Sequence, residues 1–392
     1  MTTTTMTTAL ALALALGACG GPEQPAVSPA PVGVAPAAPE VAAPPTVAAT
    51  SPPAAAPPPP TSPSNPALPP PKPTTISLAH TGDEKLDVLL AQGDKAFEDG
   101  DLVKAAASYK AAMIQAPKRS GPIVGSARVR VAKASPNLGF AASEKNSEVI
   151  AAAKDMKRAA DLEPTYGPAH VELGRAYLLL GDAPNAETAL RKGVRLLPED
   201  AEAHSALGVA LLAVGKTDEA LTELTRARDL DPGSAARRGN LGTVLFMRGK
   251  VPEAIKEYEL EVRLIPEDAR AHSDLGTALL AQSDFARAVP ELRRAIQLDP
   301  KRATFRSNLG YALQLSGKMA EAIAEYRESL KLDPKLSSAW INLATALARD
   351  PKTRAEARQA LKTAEGLDPS DPRVKANLEE LDALEKGTPQ KP

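Results

Sequence analysis

The sequence has little of several things that small proteins and enzymes commonly rely on. It contains one cysteine in 392 residues, which excludes a disulfide framework. Phe, Trp and Tyr together make up 3% of the chain, and the abundance of Ala, Leu, Glu, Arg and Lys favours helices. The formal net charge is −1, so nothing favours a nucleic-acid partner or a purely electrostatic membrane contact.

Motifs that hold nucleotides or metals are also missing. The chain has no Walker loop, no GxGxxG, no HExxH and no CxxC. We therefore predict no catalytic residue, no metal and no cofactor, and we expect neither an enzyme nor a small-molecule substrate.

A long apolar run is absent as well. The run from Ala9 to Leu16 has eight residues, far fewer than the roughly 20 that span a bilayer. It matches the hydrophobic region of a secretory signal, although no Lys or Arg precedes it. The following Leu16-Gly17-Ala18-Cys19 resembles the lipobox of bacterial lipoproteins. This resemblance implies a signal peptide at 1–18 and a lipid on Cys19.

Two glycines, and no Asp, follow Cys19. By resemblance to enteric bacterial lipoproteins, this favours the outer membrane over the inner one. We therefore expect a lipid-anchored protein of the bacterial cell envelope that faces the periplasm.

Proline dominates the next region. Between Pro22 and Pro73, 20 of 52 residues are proline, and such a composition cannot bury an apolar core. Proline favours the extended polyproline II conformation. We predict a disordered linker over 19–80.

The rest of the chain repeats at a fixed interval. Prolines that end short Leu-x-Pro or Leu-Pro segments are separated by 34, 34, 34, 34, 34 and 35 residues; they are Pro164, Pro198, Pro232, Pro266, Pro300, Pro334 and Pro369. Leu-Gly pairs recur between them, and an Ala follows each of these glycines after twelve residues. Small residues at these two places let successive helices cross closely, and Gly181, Gly215, Gly249 and Gly317 stand where the first helix must end.

This pattern resembles the tetratricopeptide repeat (TPR), a 34-residue helix–turn–helix unit. The resemblance implies an all-α, right-handed superhelix of about eight units. The units are 86–119, 120–166, 167–200, 201–234, 235–268, 269–302, 303–336 and 337–370, and the second carries an insertion near Ala134–Asn146. Residues 371–387 form an amphipathic capping helix of the kind that solenoid ends require, followed by a disordered tail at 388–392.

Three histidines recur at one repeat position and raise the question of a metal site. They are His170, His204 and His272. Stacked repeats separate such residues by about 10 Å, which is too far for shared coordination. We interpret them as packing residues. The carboxylates of the second helices, Glu257 among them, are interpreted as solvated residues of the outer face.

The first helix of each unit carries a second stripe of residues, which we predict to line an inner groove. The stripe is apolar to mildly polar with few charges, and its candidate binding residues are Arg175, Leu178, Leu212, Asn240, Thr243, Phe246, Met247, Leu280, Asn308, Tyr311 and Asn342. The favoured occupant is an apolar peptide or helix of a protein partner. Two alternatives stay open: a clamp for a terminal carboxylate through the recurring asparagines, and a stripe that only packs repeat on repeat.

The sequence thus favours a non-enzymatic, membrane-anchored scaffold that mediates protein–protein interactions in the bacterial cell envelope. A pilotin-like lipoprotein that assists pilus or secretion-complex assembly is one alternative. A regulatory or substrate-binding subunit of an envelope enzyme is another.

Overall fold

The computed structural model describes residues 75–134 and 143–386, and this part of the chain is helical and contains no strand. Its 17 α-helices are α1 Glu84–Glu98, α2 Leu102–Gln115, α3 Ser120–Ala134, α4 Ser147–Leu162, α5 Gly167–Leu179, α6 Ala183–Leu196, α7 Ala201–Ala213, α8 Thr217–Leu230, α9 Ala235–Met247, α10 Val251–Leu264, α11 Ala269–Ala281, α12 Phe285–Leu298, α13 Ala303–Leu315, α14 Met319–Leu332, α15 Ser337–Leu347, α16 Arg354–Leu367 and α17 Pro372–Glu385. Helices α1 to α16 form eight antiparallel pairs that stack in chain order. The all-α solenoid expected from the sequence is confirmed.

Helix ends are set by local residues. Asp182, Asp200 and Asp284 each precede a helix and accept a hydrogen bond from a backbone N–H of its first turn. At the other end, the second helix of each regular pair ends two residues before a proline, which has no N–H to continue the ladder. The proline recurs every 34 residues, and so do the helices. The side-chain cap does not recur, because Lys216, Lys250 and Lys318 precede their helices without a capping bond.

The turn between the two helices of a pair requires a left-handed backbone. Glycine fills this position in most units, as in Gly249 with a φ of +72°. The unit containing α11 and α12 has Ser283 there instead, with a φ of +62°. A serine side chain is strained in this region, whereas glycine is not.

The helices within a pair cross closely because the Leu-Gly positions have no side chain at the crossing. A Cβ built on Gly208 would collide with the side chain of Leu224, and one on Gly242 would collide with Tyr258. The residues around these crossings form two large apolar clusters, one over the first three pairs and one that runs from the third pair to the end of the stack.

The irregular units keep the helical pair but change its connections. Helices α3 and α4 are joined by residues 135–146, where the sequence places the insertion. In the last unit, α15 is shorter than its counterparts, and a 3-10 turn at Pro351–Thr353 precedes α16. Helix α17 then buries Val374 and Leu381 against the end of the stack.

The N-terminal boundary differs from the expected one. Residues 75–80, which the sequence assigned to the linker, lie against the helices without forming a helix or strand, and Ile76 and Leu78 are buried. The alternation of apolar and polar residues here is too short to be recognised beside the proline-rich region. Cys19, the signal peptide, the rest of the linker and the tail at 388–392 lie outside the described residues. Within the described ranges, no helix has the length and apolar character needed to cross a bilayer.

Candidate protein-binding face

The first helices of the pairs form one continuous surface, which we call the inner face. Its helices are α1, α3, α5, α7, α9, α11, α13 and α15, and most neighbouring members of this series contact each other as well as their own partners. All residues of the predicted groove lie on this series.

Most of the predicted groove residues are buried. Leu178, Leu212, Asn240, Thr243, Leu280, Asn308, Tyr311 and Asn342 are each less than a tenth exposed. Arg175, Phe246 and Met247 are partly exposed. The stripe therefore does not form a wall that is open to solvent along its whole length. The close stacking of the first helices covers most of its residues.

The buried polar members of the stripe bond within and between repeats. The Asn240 side-chain amide donates to the Ser205 hydroxyl over 3.3 Å, and Thr243 receives the hydroxyl hydrogen bond of Tyr258 at 3.1 Å. The Asn308 amide lies 3.5 Å from the hydroxyl of Thr277. These contacts match the packing interpretation of the stripe. They do not leave the asparagines clustered and open, as a carboxylate clamp needs.

The inner face also carries an ion-pair chain that lies mostly outside the predicted stripe. This ion-pair chain, defined as Asp94, Arg128, Glu172, Arg175, Glu202, Arg237 and Asp231, runs from α1 to α9; Arg175 and Glu202 are partly exposed and the other five residues are buried. Only Arg175 belongs to the stripe, and no repeating pattern reveals the other residues, because they stand at several different repeat positions. Each charge meets the opposite charge of a neighbouring helix, which makes its burial tolerable.

Within the ion-pair chain, burial and the neighbouring arginines shift the pKa values of the carboxyl groups in opposite directions. Burial by itself would raise the pKa of the Glu172 carboxyl, but the adjacent Arg128 and Arg175 outweigh it and lower that pKa. Glu202 behaves in the opposite way: burial dominates over Arg175 and Arg237, and its pKa is raised. The arginines therefore stabilise the ionised form of Glu172 more effectively than that of Glu202, which lies further along the ion-pair chain.

The recurring histidines have a structural role. In His170, His204 and His272 the Nε2 atom lies 3.0 Å from the carbonyl oxygen of the proline six residues earlier. The Nδ1 atoms of His204 and His272 also contact Glu223 and Glu291 of the paired helix, each at 2.6 Å. Both ring nitrogens of these two histidines are thus engaged. Across the described ranges, no group of three or more potential ligands is arranged for a metal ion.

One carboxyl beneath the inner face is unusual. Glu261 on α10 is fully buried below Gly239, where a Cβ would overlap the carboxylate, and burial raises its pKa to about 8. Its nearest cation, Arg270, is 3.8 Å away, and neither carboxylate oxygen has a hydrogen-bond partner among the described residues. A group covered in this way cannot touch a substrate, so its raised pKa affects stability and does not indicate catalysis.

The outer face also differs from the expectation at one residue. Glu257 is buried and paired with Arg228 at 2.6 Å and Arg238 at 2.7 Å, so it is not a solvated carboxylate. Glu253, one turn earlier on the same helix, is exposed. Glu253, and not Glu257, is therefore the exposed outer-face residue at which control substitutions can be made.

The apolar side chains of the inner face that remain exposed to a partner lie near its middle. Phe246 and Met247 end helix α9, contact the large apolar cluster and remain partly exposed. Leu315 ends α13 and is also exposed. Partly exposed apolar side chains above a rigid core can anchor a protein partner.

Comparison with known families gives a match to the tetratricopeptide repeat model over residues 171–235, 205–269 and 273–337. No curated protein matches the sequence. Among solved structures, the APC/C hetero-tetramer Cut9–Hcn1 aligns with a TM-score of 0.58 and 18% identity. That alignment covers 78% of this chain and 57% of the other, so the chain spans little more than half of that relative.

Two smaller solved structures also align over part of the chain. The TPR protein YrrB, described as having an unusual peptide-binding site, aligns with a TM-score of 0.39 and 24% identity over 49% of this chain and 99% of its own. PilF of Pseudomonas aeruginosa aligns with a TM-score of 0.46 and 22% identity over 55% of this chain and 97% of its own. The matched segments together with the stacked helix pairs show that residues 171–337 are built of tetratricopeptide repeats, a fold typical of protein–protein interaction scaffolds.

Proposed function

We propose that the protein is a non-enzymatic scaffold, held at a bacterial membrane by lipid on Cys19, that binds another envelope protein through its inner face. The lipid anchor is supported by the short apolar run at 9–16, the lipobox-like Leu16-Gly17-Ala18-Cys19 and the lack of any second cysteine. The glycines after Cys19 favour the outer membrane, with the repeats in the periplasm.

The observation that supports partner binding most directly is the exposure of Phe246 and Met247 at the middle of the inner face. The equivalent apolar residues of the two neighbouring repeats, Leu212 and Leu280, are buried. The exposed apolar surface around Phe246 and Met247 is therefore about one repeat wide. Binding energy commonly concentrates in a few aromatic and aliphatic residues at the centre of an interface. A short apolar segment of a partner, extended or helical, fits such a site.

Site-specific cross-linking tests this proposal. A photo-reactive amino acid in place of Met247 should capture an envelope protein, while the same substitution at the exposed outer-face Glu253 should not. Phe246→Ala should weaken binding of the captured partner by about 1–3 kcal/mol with the helices intact. If Phe246→Ala lowers only the melting temperature and leaves the affinity unchanged, Phe246 is a packing residue and the groove proposal is wrong.

The identity of the captured protein decides between the alternatives. A pilus or secretion-complex subunit would make the protein pilotin-like, and an enzyme would make it a regulatory subunit. Metabolic acyl labelling tests the anchor independently. Cys19→Ser should abolish label incorporation, because no other thiol can accept the lipid, and incorporation that persists would refute the lipoprotein assignment.

A further inference from the structure

The segment just before the first helix lies on the inner face in the manner of a bound peptide. We call residues 75–81 the strap. Ile76 and Leu78 are 1% and 0% exposed, while Ser77 between them is exposed. Over residues 76–78 this alternation is that of an extended chain with one side against an apolar wall. After Leu78 the chain turns, because the His80 N–H donates to the Leu78 carbonyl over 2.9 Å, and His80 is exposed.

The main chain of the strap is held by side chains of three helical pairs. The Leu78 N–H donates to the Asp94 carboxylate over 2.7 Å, and the Ile76 carbonyl accepts from the Arg128 guanidinium over 2.6 Å. The Leu78 carbonyl accepts from the hydroxyl of Tyr166 over 2.5 Å. Asp94 is on α1, Arg128 is on α3, and Tyr166 directly precedes α5. Hydrogen bonds to main-chain groups are independent of the bound sequence, as in other modes of extended-peptide recognition.

The groups that hold the strap are themselves fixed in place. Arg128 pairs with Asp94 at 3.1 Å and with Glu172 at 2.9 Å, and the Tyr109 hydroxyl donates to Asp94 over 2.7 Å. Arg128 and Asp94 are both buried. Asp94 as acceptor and Arg128 as donor are therefore presented together to two main-chain groups on either side of Ser77, the Leu78 N–H and the Ile76 carbonyl. This is a preorganised site, which lowers the entropy lost on binding.

Apolar contacts supply the side-chain selectivity. Ile76 belongs to the same continuous cluster as Val171 and Leu178 of α5, and Leu78 belongs to the cluster that contains Leu86 and Leu90 of α1. The site thus takes two aliphatic side chains at alternate positions. The exposed Ser77 between them makes a weaker contact, a hydroxyl hydrogen bond to Asp94 at 3.2 Å.

The strap is joined to the helices through an anchor at Thr81. Thr81 bonds through its N–H and hydroxyl to Asp87 of α1, at 2.9 and 2.6 Å, and Gly82 follows with a φ of +76° and no atom near its missing side chain. The Thr81 carbonyl also accepts from Arg119 over 2.6 Å, so residues 75–80 can leave by rotation before Thr81 while these bonds hold Thr81 in place. A short segment with two buried side chains and three held main-chain groups is small enough to be exchanged.

We propose that the strap is a resident ligand of a second peptide site on the inner face, formed by Asp94, Arg128 and Tyr166. A partner segment that is extended and has aliphatic side chains at two alternate positions replaces it. This inference rests on the proposed function only in requiring a protein partner. The site is distinct from Phe246 and Met247, and it is closed until the strap leaves.

The test uses the full chain and a labelled peptide with the sequence of residues 74–81, Thr-Thr-Ile-Ser-Leu-Ala-His-Thr. Replacing both Ile76→Asp and Leu78→Asp should release the strap, and this variant should bind the peptide at least about tenfold more tightly than the unchanged chain. His80→Asp adds a carboxylate to the exposed side of the strap and should leave the affinity at the unchanged level. A peptide with Asp at the two aliphatic positions should not bind.

Two results would overturn the proposal. One is a strap-released variant that keeps its helical circular dichroism and still binds no peptide. The other is a size increase showing that straps exchange between two copies of the chain, because the occupant would then be a second copy.

A second measurement does not depend on the folding of the double variant. His80→Cys in the Cys19→Ser background places one spin label on the exposed side of the strap. Excess peptide should convert the label from slow to fast motion, and a spectrum that stays unchanged at saturating peptide would contradict displacement. Both tests use a synthetic peptide and no natural partner. They can therefore fail while cross-linking at Met247 succeeds, and the reverse also holds.

Discussion

The guanidinium of Arg237 and the carboxylate of Asp231 form an ion pair of 2.5 Å in which both side chains are almost completely buried, at 2% and 1% exposure. Arg237 also reaches Glu202 of the preceding unit at 3.5 Å. One arginine therefore neutralises carboxylates that belong to two helices, and it joins the end of α8 to α7 and α9.

Removing this arginine should be strongly destabilising. Arg237→Met removes the cation that faces the buried Asp231 carboxylate, and we expect a loss of about 3–5 kcal/mol in the free energy of unfolding. Urea denaturation followed by circular dichroism measures the change. The double variant Arg237→Met/Asp231→Leu, which removes both charges, should recover much of the loss. Equal losses in the single and double variants would show that shape, and not charge, decides stability here.

Relieving the backbone strain at Ser283 should stabilise the protein. Its φ of +62° lies in the region that glycine adopts freely, and the side chain is exposed. Ser283→Gly should therefore add roughly 1 kcal/mol to the stability. The melting temperature measures this gain. Gly249→Ala introduces a side chain at the equivalent turn of the preceding unit, and it should lower the melting temperature. A stabilising effect of both substitutions would be inconsistent with strain as the cause.

Overpacking one helix crossing should cause local damage. Gly208→Leu forces a side chain into the space filled by Leu224, and we expect a loss of about 1–3 kcal/mol. Because each repeat contacts only its neighbours, faster hydrogen exchange should centre on residues 167–268 and fade on both sides. Exchange that accelerates uniformly from α1 to α17 would argue against independent repeats.

The buried carboxyl of Glu261 should make stability depend on pH. Its pKa is raised to about 8 in the folded protein, from 4.5, so the folded state keeps a proton that the unfolded state loses as pH rises through 4.5. Stability should accordingly fall between pH 4.5 and 8 and then level off. Glu261→Gln removes the ionisable group, and at pH 8 it should be more stable than the parent by roughly 1–3 kcal/mol.

Urea unfolding at several pH values on both proteins measures this difference. Glu253→Gln, on the exposed side of the same helix, is the control and should leave the pH dependence unchanged. If Glu261→Gln instead lowers stability at pH 8, the carboxylate is ionised and stabilised by Arg270, and the assignment of a protonated Glu261 is wrong.

The repeat architecture could be predicted because its signals are local. The proline that ends a second helix, the glycine in the turn and the small residues at the crossing each act within one 34-residue unit, and each recurs. Such signals identify helices α5 to α14 directly. The same periodicity placed the candidate groove residues on the first helices, since a position in a repeat determines a position on a helix.

The properties of the inner face depend on contacts between units, which periodicity does not encode. Arg128 meets Glu172 across 44 residues, and Arg237 meets Glu202 across 35, at positions that do not recur. Whether Leu212 is open or covered depends on how closely α7 and α9 approach, and that distance is set by all the side chains between them. The sequence alone determined the helices, their order and the face each residue occupies. Only the tertiary structure decided which of those residues are buried, which charges pair and that residues 75–81 lie against the inner face, because each of these depends on packing between segments distant in the chain.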